Sequence, residues 1–419
     1  MNAFSYRNDE LCAEAIPLAQ IAAQYGTPCY VYSRTALEQT YREFVEAFKS
    51  REHLICYAVK ANSNLAILNL FARLGSGFDV VSGGELQRVL AAGGSASKVV
   101  FSGVGKSEQE IALALSSGIL CFNVESESEL KRLDMIASEM NLRAPVSLRV
   151  NPDVDPNTHR HIATGLKQNK FGIAFANAEK TYLLAKTLDH IRITGIDCHI
   201  GSQLTEVSPF IRALKKLLAL IKRLQQHGIA IGHLDIGGGL GIRYRDESPP
   251  SFSEYAEAVL TTLRPYPQRL IVEPGRALVG NAGLLLTKVE YLKHSDDRNF
   301  AIVDAAMNDL MRPALYNAYH EIVPVRKSGA ESKLYSIAGP VCESADLLGE
   351  DRSLALAEGD LLAILSAGAY GMSMSSNYNT RPRPAEVMVN GEGLHLIRAR
   401  EQISDLFARE KTLPVSEDR

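Results

Sequence analysis

In Leu54-Ile55-Cys56-Tyr57-Ala58-Val59-Lys60-Ala61-Asn62, the apolar run Leu54 to Val59 is of strand length and Lys60 ends it. Asn62-Ser63-Asn64 then turns the chain into a helical pattern from Leu65 onward. An uninterrupted apolar run bounded by turn residues reads as a strand buried on both faces, as in parallel sheets. A lysine at the C-terminal lip of such a strand sits beside low-dielectric walls. Desolvation there disfavours the ammonium and frees the amine as a nucleophile, which Schiff-base chemistry requires. A lysine that only reaches for solvent where a strand ends gives the same local pattern. The remainder of the chain decides between the two.

Outward from this stretch the rhythm is regular. Apolar runs end near Val59, Val81, Phe101, Val124, Val150, Cys198, Ile236 and Val272, and longer amphipathic segments separate them. Strands alternating with helices in this number point to a closed parallel (β/α)8 barrel of TIM type. Ser82…Glu85, Ser107…Glu110 and Ser126…Glu129 each follow a strand by a few residues and match the capping-box pattern. Upstream, Cys29-Tyr30-Val31-Tyr32 reads as a strand, between helices expected over Leu18 to Gln24 and Arg34 to Lys49. Past Pro274 the texture changes to apolar–polar alternation at Leu286 to Tyr291, Phe300 to Asp304, Glu321 to Arg326, Tyr335 to Val341, Leu361 to Ser366 and Ala385 to Ile397. The last contains the hairpin signal Asn390-Gly391. This half reads as an antiparallel β-sandwich or barrel, closed by a helix from about Arg398 to Glu410. The expected organisation is a segment 1–28 packing with the β domain, a barrel over 29–275, a β domain with final helix over 276–410, and a frayed tail 411–419.

The chain has 419 residues and 46% hydrophobic content, enough for a large core and two domains. Lys+Arg 45 against Asp+Glu 48 gives a net charge of −3, which argues against a nucleic-acid or membrane-surface protein. The first dozen residues carry Arg7, Asp9 and Glu10 with no apolar core of a signal peptide. Cysteines at 12, 29, 56, 121, 198 and 342 show no spacing for zinc or a redox motif, and most lie in apolar runs. A reducing, cytoplasmic location is expected.

In a barrel of this kind chemistry collects at the C-terminal ends of the strands. Those ends carry Lys60, Asp79, Glu125, Asn151, His199, Gly237-Gly238-Gly239 and Glu273. Gly237-Gly238-Gly239-Leu240-Gly241 lets backbone N–H groups approach an anion, with a helix N-terminus expected nearby. It is neither a Walker loop nor a good dinucleotide fingerprint. Glu273-Pro274-Gly275-Arg276 adds a second glycine turn after strand eight, where barrels commonly bind phosphate. His199 has no His or Cys at ligand spacing, so no metal is expected. It suits a flat ring facing a flat cofactor, with Ser202 reaching the same phosphate. A lysine, a phosphate cradle, a planar histidine and an acidic residue together fit pyridoxal phosphate, with Glu273 keeping the ring nitrogen protonated.

Tyr57-Ala58-Val59-Lys60-Ala61-Asn62, His199-Ile200-Gly201-Ser202, Gly237-Gly238-Gly239-Leu240-Gly241 and Glu273-Pro274-Gly275-Arg276 resemble the pyridoxal-phosphate decarboxylases built on an alanine-racemase-like barrel. Cys342-Glu343-Ser344 and Gly368-Ala369-Tyr370-Gly371 add C-terminal signatures. Gly165-Leu166-Lys167, Asn169-Lys170-Phe171-Gly172 and Asn308-Asp309-Leu310-Met311-Arg312-Pro313 bring the chain nearest to the diaminopimelate decarboxylases, over essentially its whole length. The resemblance implies that Lys60 carries the cofactor and His199 stacks on its ring. It implies that Ser202, Gly237, Gly238, Gly239, Gly275 and Arg276 hold the phosphate, that Glu273 pairs with the ring nitrogen and that Asp79 lies nearby. Arg276, Arg312, Tyr316, Glu343 and Tyr370 are implied to contact substrate, Tyr370 touching cofactor as well. Cys342 is the implied proton donor. In the family Cys342 and Glu343 reach the partner subunit's barrel, which makes a homodimer the expected unit. The implied reaction converts meso-2,6-diaminopimelate to L-lysine and CO2, the last step of bacterial lysine biosynthesis.

A decarboxylase of ornithine, lysine or arginine acts on substrates with no distal carboxylate, which leaves basic Arg312 without a purpose. A racemase wants an unprotonated ring nitrogen, against Glu273. A barrel-only carrier of the cofactor makes residues 277–419 superfluous. The connection Pro152 to Asn169 exceeds the usual loop length and is expected to form a lid.

Overall fold

The computed structural model describes residues 3–155 and 170–413. Most of the expected lid, and the Gly165-Leu166-Lys167 motif with Asn169, lie outside the described residues. The chain divides into two compact units, Thr35–Ala282 and Met1–Arg34 with Gly283–Arg419.

In Thr35–Ala282 the strands are β1 (His53–Ala58), β2 (Gly77–Val80), β3 (Val99–Phe101) and β4 (Cys121–Val124), then β5 (Ala144–Asn151), β6 (Ile191–Asp197), β7 (His233–Asp235) and β8 (Arg269–Val272). Neighbours in sequence are neighbours in space, every pairing among them is parallel, and β8 pairs β1, which closes the barrel. The helix Arg34–Ala47 leads into β1, and the helices that follow are α1 (Leu65–Arg73), α2 (Gly83–Ala91), α3 (Glu108–Ser117), α4 (Glu127–Glu139), α5 (Phe175–Thr187), α6 (Ser208–Gln226), α7 (Phe252–Leu263) and the short α8 (Arg276–Val279). In α6, Leu214, Leu217, Leu218, Ile221 and Leu224 recur at helical spacing and are all buried.

Ser82, Ser107 and Ser126 each accept the N–H three residues on and so start α2, α3 and α4. Of these three, Ser107 alone forms the full reciprocal box. Glu85 and Glu129 instead accept the N–H one residue before the cap, from Val81 at 2.7 Å and Glu125 at 2.8 Å. The second oxygen of Glu129 then holds the buried ammonium of Lys106 at 2.7 Å.

The barrel interior is layered by the period-two alternation of strands. Leu54, Cys56, Val100, Cys121 and Ile271 make an apolar floor. Two residues further along the same faces come Asn123 after Cys121 and Glu273 after Ile271. The floor also admits His233 beside Cys121, because a β-carbon on Gly195 would stand 2.0 Å from the imidazole.

The other unit is built around Gly283–Lys293, which pairs antiparallel with Cys29–Ser33, Phe300–Val303 and Leu361–Ile364. Ala385–Asn390 and Gly393–Arg398 form the expected hairpin, with Gly391 at φ +60°. Two pairings are parallel, Phe300–Val303 with Lys333–Ala338 and Cys29–Ser33 with Ala385–Asn390, so the unit is not purely antiparallel. Cys29–Ser33, expected to open the barrel segment at 29, belongs to this sheet instead. Its five residues are buried throughout, a pattern that fits either sheet equally well. Leu347–Leu354 is a strand that the polar run Glu350-Asp351-Arg352 concealed. The expected final helix is only Ile403–Phe407, none of it buried, since a helical pattern without a packing surface does not hold many turns.

Candidate active site

The barrel register assembles the first group of site residues. Ala58 pairs Asp79 across β1 and β2, which puts Lys60, two residues on, beside the Asp79 carboxylate. Lys60 Nζ donates to Asp79 Oδ2, with Asp79 fully buried and the lysine side chain about one-third exposed. A carboxylate partner favours the ammonium, which opposes the desolvation that the strand end suggested.

Gly237, Gly238 and Gly239 fit where no other residue does. A β-carbon on Gly238 would stand 2.2 Å from the Glu273 carbonyl oxygen, and one on Gly239 2.5 Å from that of Gly201. Gly237 has φ +66° and donates its N–H to Asp235 Oδ1 at 2.8 Å. Gly238 N–H points to His199 Nδ1 at 3.2 Å. Those two amides therefore tie the loop to Asp235 and His199. No helix follows the loop directly, since α7 begins at Phe252. Arg276, buried behind Gly275, donates to Ser202 Oγ at 3.0 Å and to Tyr244 Oη at 2.5 Å.

Beneath this rim lies a carboxylate layer. Asp197 is in register with both Arg149 and Asp235, and ligand oxygens of Asp197, Asp235 and Glu273 lie within 4.8 Å of one another. Asn123 donates to Glu273 Oε1 at 3.4 Å. Burial pushes the carboxyls of Asp197 and Glu273 well above the usual range, and their mutual repulsion with Asp235 adds to it. Asp235 is pushed up to about 7, again first by burial. Burial opposes the charge of Arg149, but Glu125 at 2.9 Å and Asp197 outweigh it and raise its pKa. His199 is held well below its ordinary value by burial, then by Arg149 and Lys60. Its ring is neutral, and the Gly238 contact assigns the proton to Nε2. Arg149, Asp197, Asp235 and Tyr244 were given no role from the sequence. For Arg149 and Asp197 the signal was a polar residue two positions before Asn151 and His199 at the strand ends.

Arg312, Tyr316, Cys342, Glu343 and Tyr370 lie in the other unit. Asp309 accepts the Ala306 N–H at 2.9 Å and shapes the turn that leads into Arg312–Tyr316. Arg312 is buried and Tyr316 partly so. Cys342 and Glu343 are exposed, in a turn held by Asp346, which accepts the Val341 N–H at 2.8 Å. Cys342 N–H donates to Asn379 Oδ1 at 2.9 Å. Tyr370 has φ +56°, a left-handed backbone uncommon for a bulky residue.

The model of the pyridoxal-dependent decarboxylase pyridoxal-binding domain matches residues 34–280. The chain is 60% identical over 416 residues to the diaminopimelate decarboxylase of Vibrio cholerae, covering 99% of this chain and 100% of that one. Identity to the Pseudomonas aeruginosa diaminopimelate decarboxylase is 58% over 414 residues, with 99% and 100% covered. The chain belongs to the diaminopimelate decarboxylase family. It is a pyridoxal-phosphate-dependent lyase. Among solved structures, diaminopimelate decarboxylase of M. jannaschii in co-complex with L-lysine superposes with a TM-score of 0.94 at 41% identity, covering 98% of each chain. The Helicobacter pylori decarboxylase complexed with L-lysine gives 0.90 at 43% identity, covering 93% of this chain and 98% of that one.

The barrel residues fit the cofactor that this family uses. An aldehyde needs an amine, and the Lys60 amine beside Asp79 suits it. A ring nitrogen suits Glu273, whose carboxyl burial makes ready to share a proton. A phosphate suits Ser202, Arg276 and the backbone around Gly239 and Gly275, where substituted β-carbons would crowd the rim.

Proposed function

We propose that the barrel and β-unit residues divide the decarboxylation of meso-2,6-diaminopimelate between them, with the carboxylate layer around Glu273 as the observation that carries this reading. Bound pyridoxal phosphate supplies an electron sink for the carbon that loses CO2. Lys60 would hold the cofactor through its amine, and Asp79 would pair with the Lys60 ammonium whenever that amine is free. Neutral His199 packs against the ring without adding charge to it. Glu273 keeps a proton on the ring nitrogen, and Asp235 and Asp197 make that proton easier to hold. Ser202 and Arg276 anchor the phosphate with the glycine turns, and Tyr370 adds a contact. Cys342 delivers a proton to the carbon that the departing CO2 leaves electron-rich. Decarboxylation at one end leaves the other amino acid group intact, so the product is L-lysine. Arg312, Tyr316, Glu343 and Arg276 grip that distal group, the arginines matching its carboxylate and Glu343 its ammonium.

The unit of function is a homodimer in which Cys342 and Glu343 of one subunit complete the other subunit's site, located in the cytoplasm. Among the described residues no helix is long and apolar enough to cross a membrane.

The test is CO2 release from meso-diaminopimelate, lysine, ornithine and arginine, with wild type and Arg312→Ala. A buried charge left without its partner costs about 3–5 kcal/mol, and bound water reduces this. Wild type is expected to prefer meso-diaminopimelate by at least about a hundredfold, and Arg312→Ala to lose most of that preference. A wild type that prefers ornithine or lysine overturns the substrate assignment.

A further inference from the structure

The short helix Arg312–Tyr316 ends at Asn317, whose φ of +51° turns the chain back on itself. The returning segment carries His320, fully buried, under the guanidinium of Arg312. Arg312 Nη1 lies 2.8 Å from His320 Nε2, and His320 Nδ1 lies 2.8 Å from the carbonyl oxygen of Leu365. A guanidinium only donates and a carbonyl only accepts. Both contacts are therefore satisfied by one form of the ring, neutral and protonated on Nδ1, with its Nε2 lone pair turned to the arginine. A protonated ring would set N–H against N–H.

The surroundings fix the imidazole as firmly as the tautomer. Leu365 N–H donates to the Glu321 carbonyl at 2.8 Å, one step beyond the Ile322–Ile364 pairing of the sheet. His320 therefore sits where the sheet register aims its ring at Leu365. Its own carbonyl accepts from Arg352 Nη2 at 3.0 Å, and the Arg352 guanidinium lies 3.9 Å from the Tyr319 ring centroid. Arg352 comes from Leu347–Leu354, the strand concealed in the sequence.

We propose that His320 is a positioning residue for substrate selection: it orients the Arg312 guanidinium toward the distal carboxylate of the substrate. A flexible arginine would lose rotamer freedom each time it closed on a carboxylate. One held beforehand by a buried, neutral acceptor has already lost it, and loses no charge to its partner. The inference rests on the reading that Arg312 takes the distal carboxylate.

The experiment compares wild type, His320→Leu, His320→Gln and Arg312→Ala, each loaded with cofactor. It measures KM and kcat for meso-diaminopimelate, and the inhibition constant of 1,5-diaminopentane, which lacks both carboxylates. A hydrogen bond to a charged group corresponds to about tenfold or more in binding. His320→Leu is expected to raise KM by about that factor relative to the diaminopentane constant, with a smaller change in kcat and an unaltered cofactor absorbance band. His320→Gln, whose side-chain oxygen can accept from Arg312, is expected to recover part of the loss. In Arg312→Ala, adding His320→Leu is expected to cost little more. If Arg312→Ala raises KM selectively and His320→Leu does not, the positioning role is overturned and the Arg312 assignment stands. If Arg312→Ala itself shows no selectivity for the distal carboxylate, the underlying reading fails. Proportional losses for both ligands with no rescue by glutamine would make His320 a structural residue and overturn the inference.

Discussion

Asp235→Asn tests whether the carboxylate layer acts as a unit. The amide keeps an oxygen for the Gly237 N–H, now 2.8 Å from Asp235 Oδ1, and removes the charge. Ligand oxygens of Asp235 and Glu273 lie within 4.8 Å, and at an effective dielectric of about 20 two such charges repel by about 3.5 kcal/mol. Asp235 itself titrates at about 7, against an ordinary value of 3.8. An acid whose pKa is raised on folding binds more protons folded than unfolded. Its contribution to stability is therefore present at low pH and lost as pH rises between those two values. From pH 5 to pH 7 that loss is on the order of 2 kcal/mol, at about 1.36 kcal/mol per unit with the group half ionised at the upper end. The assay is urea denaturation of cofactor-free protein at pH 5, 6, 7 and 8. Wild type is expected to lose stability across this range, and Asp235→Asn to lose about 2–3 kcal/mol less. The fall in the Glu273 carboxyl that the substitution produces works in the same direction. Equal slopes for the two proteins would refute the reasoning, because they would show Asp235 ionised throughout or its charge already neutralised.

Borohydride reduction of the yellow holoenzyme is expected to fix the cofactor on a Lys60 peptide, read by mass spectrometry; label on another lysine would remove Lys60 from its role. Mixing inactive Lys60→Ala with inactive Cys342→Ala is expected to restore part of the activity, since a mixed dimer contains one intact site. If subunits exchange and none returns, Cys342 acts within its own chain or is dispensable.

The sequence by itself determined the barrel. Its eight buried runs, the serine caps of α2, α3 and α4, and the polar residues at strand ends are local features, written in periods and dipeptides that need no long-range information. Lys60, His199, the Gly237–Gly239 loop and Glu273 were legible for the same reason, since each closes a recognisable run. Tertiary structure decided what the period could not. Cys29–Ser33 is buried on both faces in either sheet, and only hydrogen bonding to Gly283–Lys293 and Ala385–Asn390 assigns it. Asp197 and Asp235 stand almost forty residues apart, and only the β6–β7 register sets them side by side within reach of Glu273. His320 reaches Arg312 only because Asn317 reverses the chain and Leu347–Leu354 supplies Arg352 to hold it. Strand propensity records which residues can be buried. Which charges then meet depends on register, a property of pairs of strands that no single stretch of chain contains.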